Sequence, residues 1–92
     1  MDSDRYANGQ PKYELENGVM THFYKDGDIR ATGPFTDGAM EGEWKFYRDS
    51  GELWQVGSFK SNVKHGPFVR YRRDGSVEYD ATFDNGKPLN RP

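Results

Sequence analysis

The sequence predicts an all-β protein, a single antiparallel meander of β-hairpins forming a twisted, elongated sheet with no helix. Three observations carry that expectation. The chain aligns with itself at a shift of 24 residues, giving three tandem units at 18–41, 42–65 and 66–89. Aromatic residues make up 15% of the chain while all hydrophobic residues reach only 33%, a bias toward strands over helices. Glycine, asparagine and aspartate fall at fixed places in each unit, where turns between short strands would sit.

The elements follow in order. Residues 1–11 are polar and expected to be a flexible segment. Residues 12–17, Lys12-Tyr13-Glu14-Leu15-Glu16-Asn17, read as a strand that caps the edge of the sheet and enters a tight hairpin at Asn17-Gly18. Residues 12–89 form one repeat domain, and 90–92 are a tail. At a shift of 24, Met20, Trp44 and Phe68 align, then Phe23, Tyr47 and Tyr71, then Gly27, Gly51 and Gly75. Ile29, Leu53 and Val77 follow, then the small residues Gly33, Gly57 and Ala81, then Phe35, Phe59 and Phe83.

Each unit is two strands around a loop. A two-residue Asp-Gly loop would set Arg48 against Leu53 and Arg72 against Val77, charge beside apolar. A three-residue loop ending in a left-handed glycine pairs Phe23 with Ile29, Tyr47 with Leu53 and Tyr71 with Val77 instead. The second choice predicts a bulge at Gly27, Gly51 and Gly75. Along the second strand, positions 53, 55, 57 and 59 are expected to face inward, and 54, 56 and 58 outward, by alternation. The small residue at 33, 57 and 81 makes room for a neighbouring ring. The apolar positions 44 and 47 lie three apart, so either a bulge separates them or both faces are partly covered. Turns at Asp37-Gly38, Ser61-Asn62 and Asn85-Gly86 join the units, and the sheet is open after residue 84.

A domain of this size buries only about 60–65% of the surface its unfolded chain exposes, so a few rings must supply most of the core. The chain has no cysteine, which removes disulfides and thiolate metal sites. Nothing approaches the length of a signal peptide or a membrane span, and cytoplasmic is the default compartment. The net charge of −2 divides into −4 over residues 1–41 and +2 over 42–92, which disfavours nucleic acid as a partner.

The pattern Gly-Glu-Trp-x-Phe-Tyr-x-x-x-Gly-x-Leu, followed by Phe-Lys and an Asn-containing turn to the next glycine, resembles the MORN repeat in its variant bacterial form. The likeness covers about 12–89; Gly42 to Phe59 is the best copy, Gly66 to Asn85 the next, and the first unit the weakest, with Met20 and His22 in place of aromatics. The resemblance implies a meander of hairpins. It also implies a binding role, since such repeats occur in antitoxin components of toxin–antitoxin pairs, in scaffolds and in proteins proposed to touch membrane lipids.

Candidate chemistry is sparse. His22 and His65 fall at non-equivalent positions and read as surface histidines. Asp26-Gly27-Asp28 and Asp74-Gly75 lack the ligand series of a calcium loop and read as turn residues. The serines have no recognisable base beside them, so no enzyme, metal or cofactor is expected. Two partner sites are. Trp54 stands where the other units have Arg30 and Glu78, and Phe46 where they have His22 and Arg70. With Val56 these rings form a candidate protein-binding site, balanced by the reading that they close a small cluster or a homodimer interface. Arg70, Arg72, Arg73 and Lys64 form a candidate site for an anionic phospholipid or acidic surface, balanced by that of a solvated strand. The expected function is a protein-interaction module, an antitoxin or immunity partner of a toxin in its finer form. The alternatives are a phospholipid adaptor and a structural, self-associating repeat.

Overall fold

Nine strands in meander order make up the computed structural model, which describes residues 4–89. They are β1 Tyr13–Glu16, β2 Val19–Phe23, β3 Ile29–Thr36, β4 Ala39–Met40, β5 Gly42–Tyr47, β6 Leu53–Lys60, β7 Val63–Tyr71, β8 Val77–Asp84 and β9 Lys87–Pro88. Every pairing is antiparallel, in the order β1-β2-β3-β5-β6-β7-β8-β9, with β4 on the end of β3. A compact chain of this length would have a radius of gyration of about 12 Å. The observed value is 14.7 Å, with extents of 52 × 35 × 21 Å, as expected for an elongated sheet. The expected tail at 90–92 lies outside the described residues.

Loop chemistry sets the register. Phe23 pairs with Ile29, Tyr47 with Leu53 and Tyr71 with Val77, as the three-residue loop requires. Gly51 has φ of 101° and donates its N–H to Arg48 O at 2.9 Å, while Arg48 N–H bonds Glu52 O at 2.9 Å. The turns between units are two-residue loops with both residues at positive φ, the geometry that matches strand twist. Ser61 and Asn62 reach φ of 49° and 70° without a glycine. Side chains help to hold them there. Glu41 Oε1 accepts from Ser61 N and Oγ, both at 3.0 Å, and Asn62 Oδ1 accepts from Met40 N at 2.8 Å.

A second irregularity lies beyond each loop. Tyr47 pairs with Leu53 but Phe46 pairs with Gln55, so Trp54 is an extra residue in β6; Arg30 and Glu78 are extra in the same way. This corrects the alternation drawn from sequence. Gln55, Gly57 and Phe59 share one face with Phe46 and Trp44, whereas Leu53 goes with Tyr47 to the other. The apolar positions 44 and 47 accordingly lie on opposite faces of β5, the extra residue being in β6, so both faces are partly covered.

The core is a row of rings on one face. Trp44 is 1% exposed and Phe68 3%, with Met20, Ala31 and Phe83 also buried. Each main ring lies across a residue without a side chain. A β-carbon on Gly33 would stand 2.4 Å from Trp44, and one on Gly57 2.3 Å from Phe68. Trp44 Nε1 donates to Pro34 O at 2.8 Å, so the buried indole leaves no donor unpaired.

Neighbouring units are also tied at their bulges. Tyr24 Oη donates to Tyr47 O at 2.7 Å and Arg48 Nη2 to Tyr71 O at 2.9 Å, each reaching into the following unit. Tyr6 Oη makes the matching bond to Phe23 O at 2.7 Å. Residues 4–11, part of the segment expected to be flexible, make specific hydrogen bonds in the structure. Tyr6 N bonds Gln10 O, Arg5 bridges to Pro11, and Lys12 N bonds Asp4 O, folding this stretch against the first unit. A polar composition conceals such a segment because its contacts are hydrogen bonds to carbonyls that a bulge elsewhere leaves open.

Candidate interaction face

Register decides what each face of this sheet carries. One row of partners runs Tyr13, His22, Ala31, Phe46, Gln55, Arg70 and Tyr79 across seven strands. The row beside it holds Met20, Gly33, Trp44, Gly57, Phe68 and Ala81. Ring contacts follow these rows: His22–Trp44 at 6.1 Å, Trp44–Phe46 and Phe46–Phe59 at 6.3 Å, Phe59–Phe68 at 5.3 Å and Phe68–Phe83 at 5.1 Å. The opposite face is read from the intervening partners, Glu14, Thr21, Thr32, Lys45, Val56, Val69 and Asp80.

A cleft of about 580 Å³ opens on the aromatic face, lined by His22, Tyr24, Trp44, Phe46, Tyr47 and Trp54, with Arg30, Ala31 and Met40. Trp54 enters it because the bulge adds a residue ahead of Gln55. The Arg70 guanidinium lies 4.9 Å from the Trp54 ring centroid and 5.7 Å from that of Tyr79. Two bonds to Gln55 Oε1, from Nε at 3.1 Å and Nη2 at 3.0 Å, hold it there. Arg30 lies 5.9 Å from the Tyr24 ring. Burial, with the Arg30 charge adding to it, pushes the His22 pKa below the usual histidine value, so the imidazole beside Trp44 is neutral at neutral pH.

The candidate residues read from sequence separate. Trp54 and Phe46 come together on the cleft, while Val56 pairs with Lys45 and Val69 in the row of the other face. Phe46 packs against the buried cluster of Met20, Ala31 and Trp44, so it serves core and cleft at once. Arg70 joins Trp54. Arg72 turns back on its own loop, donating to Val77 O at 2.8 Å, and Arg73 reaches Ser50 and Glu52 of the preceding unit. Lys64 sits over Phe68 and Phe83 at 5.2 and 5.0 Å, about 20 Å along the strand from Arg70. The four cations are therefore not one patch.

His65 has a structural part, its Nδ1 accepting from Asn85 N at 3.1 Å. The aspartates at the loops are turn residues: Asp26 accepts from Asp28 N and Asp74 from Ser76 N, each at 2.9 Å. Among the described residues no group of three or more His, Asp or Glu side chains could hold a metal ion. No helix among the described residues is long and apolar enough to cross a membrane. Residues the sequence did not single out as sites include Arg30, Tyr24 and His22. A signal for them existed: pairing Tyr47 with Leu53 and setting Trp44 beside Gly57 needs three steps on one strand and four on the other, which requires one extra residue among 54–56, and the register places it at 54.

The family model for the MORN repeat variant matches residues 16–37 and 40–61, segments whose starts lie 24 residues apart. They fall on the first two units, the one nearest the pattern by inspection and the one furthest from it. No curated protein and no solved structure matches the chain.

Proposed function

We propose that this chain, which belongs to the MORN repeat variant family, is a non-enzymatic interaction module that holds a protein partner on the aromatic face around Trp54 and Phe46. The observation that carries the proposal is the placement of Trp54. The bulge brings its ring to the mouth of a ring-lined cleft, and Arg70 is fixed over it. Tryptophan, tyrosine and arginine are the side chains that dominate binding energy at interfaces, the two rings because they desolvate a large area at little cost in rotamer freedom. The cleft is within the range of about 300–1,000 Å³ that holds a small ligand or a few side chains. Arginine and glutamate at the equivalent positions 30 and 78 mean that the repeat itself does not demand a tryptophan there.

In its finer form the proposal makes the partner a toxic protein, this chain acting as its antitoxin or immunity factor. Co-expression with the reading frame beside its gene tests that form, through rescue of growth. The phospholipid alternative draws less support, since Arg72 and Arg73 are engaged in loops and Lys64 stands apart.

Selection from a displayed library of random peptides tests the module itself. Wild-type protein and a Lys45→Ala control on the opposite face are expected to enrich common sequences, and Trp54→Ala to lose them. The substitution should lower stability by no more than about 1–2 kcal/mol, because the ring lies at the rim of the core. Equal enrichment by Trp54→Ala, or its failure to fold, defeats the proposal.

A further inference from the structure

Charge is unevenly divided between the two faces of the sheet in a way that the net value of −2 conceals, although Lys45 shares the face opposite the rings. The carboxylates of Glu14, Glu16, Glu43 and Asp80 alternate to the face opposite the rings. Arg30, Arg70 and Lys64 lie over rings of the aromatic face, and none of them makes an ion pair among the described residues. No carboxylate among the described residues lines the cleft. Glu78, extra at the third bulge, is the acid at the equivalent of Trp54, one unit further along.

The two arginines differ in how they are held, Arg70 being fixed by hydrogen bonds and Arg30 not. Arg70 spends two of its five N–H groups on Gln55 and keeps the other three for a partner. Arg30 donates no hydrogen bond among the described residues and rests on Tyr24 alone. A guanidinium stacked on a ring presents its donors at the edge, in the plane that suits a carboxylate. Rings fill the space between them.

Resting on the interaction-module reading above, we infer that the aromatic face seats an extended acidic segment of the partner protein. An apolar side chain of that segment enters the cleft, and flanking carboxylates pair with Arg30 and Arg70. A bilayer is the poorer fit to the same charges. Its surface favours basic side chains projecting outward to one plane, whereas these cations lie against rings at the lip of a concavity wide enough for a side chain.

Fluorescence anisotropy with the full chain tests this. One labelled probe is a heptapeptide with a central phenylalanine and three glutamates on either side; the other carries glutamines instead. The glutamate probe is expected to bind about tenfold tighter at low salt, the gap shrinking at several hundred millimolar. Arg30→Gln with Arg70→Gln should abolish the preference while keeping the weak affinity for the glutamine probe. Arg30→Gln alone, at a side chain that only touches Tyr24, should remove part of it and guards against an effect of Arg70 on folding. Equal binding of the two probes, or a preference that survives in the double variant, overturns the inference. So does failure of both probes with co-sedimentation on vesicles of about 30% phosphatidylserine, which would assign the face to membrane. Library selection that depends on Trp54 but returns uncharged sequences overturns the acidic assignment alone and leaves the interaction module standing.

Discussion

Replacing Gly57 by alanine tests how the sheet makes a core without a second layer. The added β-carbon would lie 2.3 Å from Phe68 Cε2 and 2.7 Å from Cδ2 and Cζ. Carbon atoms in contact settle at about 3.5–4.0 Å, so the ring must retreat by more than about 1 Å. It has nowhere convenient to go: Phe68 is 3% exposed, and Phe59 and Phe83 meet it edge-on at 5.3 and 5.1 Å. Overpacking of this kind costs about 1–3 kcal/mol. Relief of glycine's conformational freedom in the unfolded chain offsets about 0.5–1 kcal/mol. The net loss of about 1–2 kcal/mol corresponds to a melting point lower by roughly 5–15 °C in a domain of this length. Urea and thermal unfolding followed by circular dichroism would measure it. In a Phe68→Leu background the penalty should shrink, because the two sites share the clash. Gly57→Ala at least as stable as wild type, or a cost unchanged by Phe68→Leu, would refute the account of rings seated on bare backbone.

Three further outcomes are expected. Tyr24→Phe removes the bond to Tyr47 O and should cost about 1 kcal/mol, with faster amide exchange at the joint between the first two units. Glu41→Ala removes the oxygen that accepts both Ser61 bonds and should cost about 1 kcal/mol by leaving Ser61 at positive φ without them, a loss that Ser61→Gly should partly restore. His22 titrates below its unfolded value, so the unfolded chain binds a proton first as pH falls. Stability should therefore be full above about pH 6.5 and decline through the interval between the unfolded and folded pKa, and His22→Gln should flatten that slope. Melting temperatures from pH 7.5 downward, with the His22 titration followed by NMR, would show it.

The period, the loops and their pairings were legible in sequence because they are local. A three-residue loop ending in glycine places Tyr47 against Leu53 whatever the rest of the sheet does, and Gly57 beside a large ring reads as a seat for it. Faces are different. Alternation has a period of two, so a single extra residue reverses every assignment on its far side. The bulge at Trp54 does that, moving Leu53 to the face that Val56 occupies and bringing Trp54 to the cleft, away from Val56. Whether an extra residue is accommodated depends on the neighbouring strand, through the contacts of Trp44 with Gly33 and of Phe68 with Gly57. The same holds for Tyr6, whose partner Phe23 O lies beside the first bulge, 17 residues along the chain. The sequence by itself thus determined the repeat and the residues that depart from it. Tertiary structure decided which of those departures share a face, since the register between strands, and not the order along one of them, sets where a side chain points.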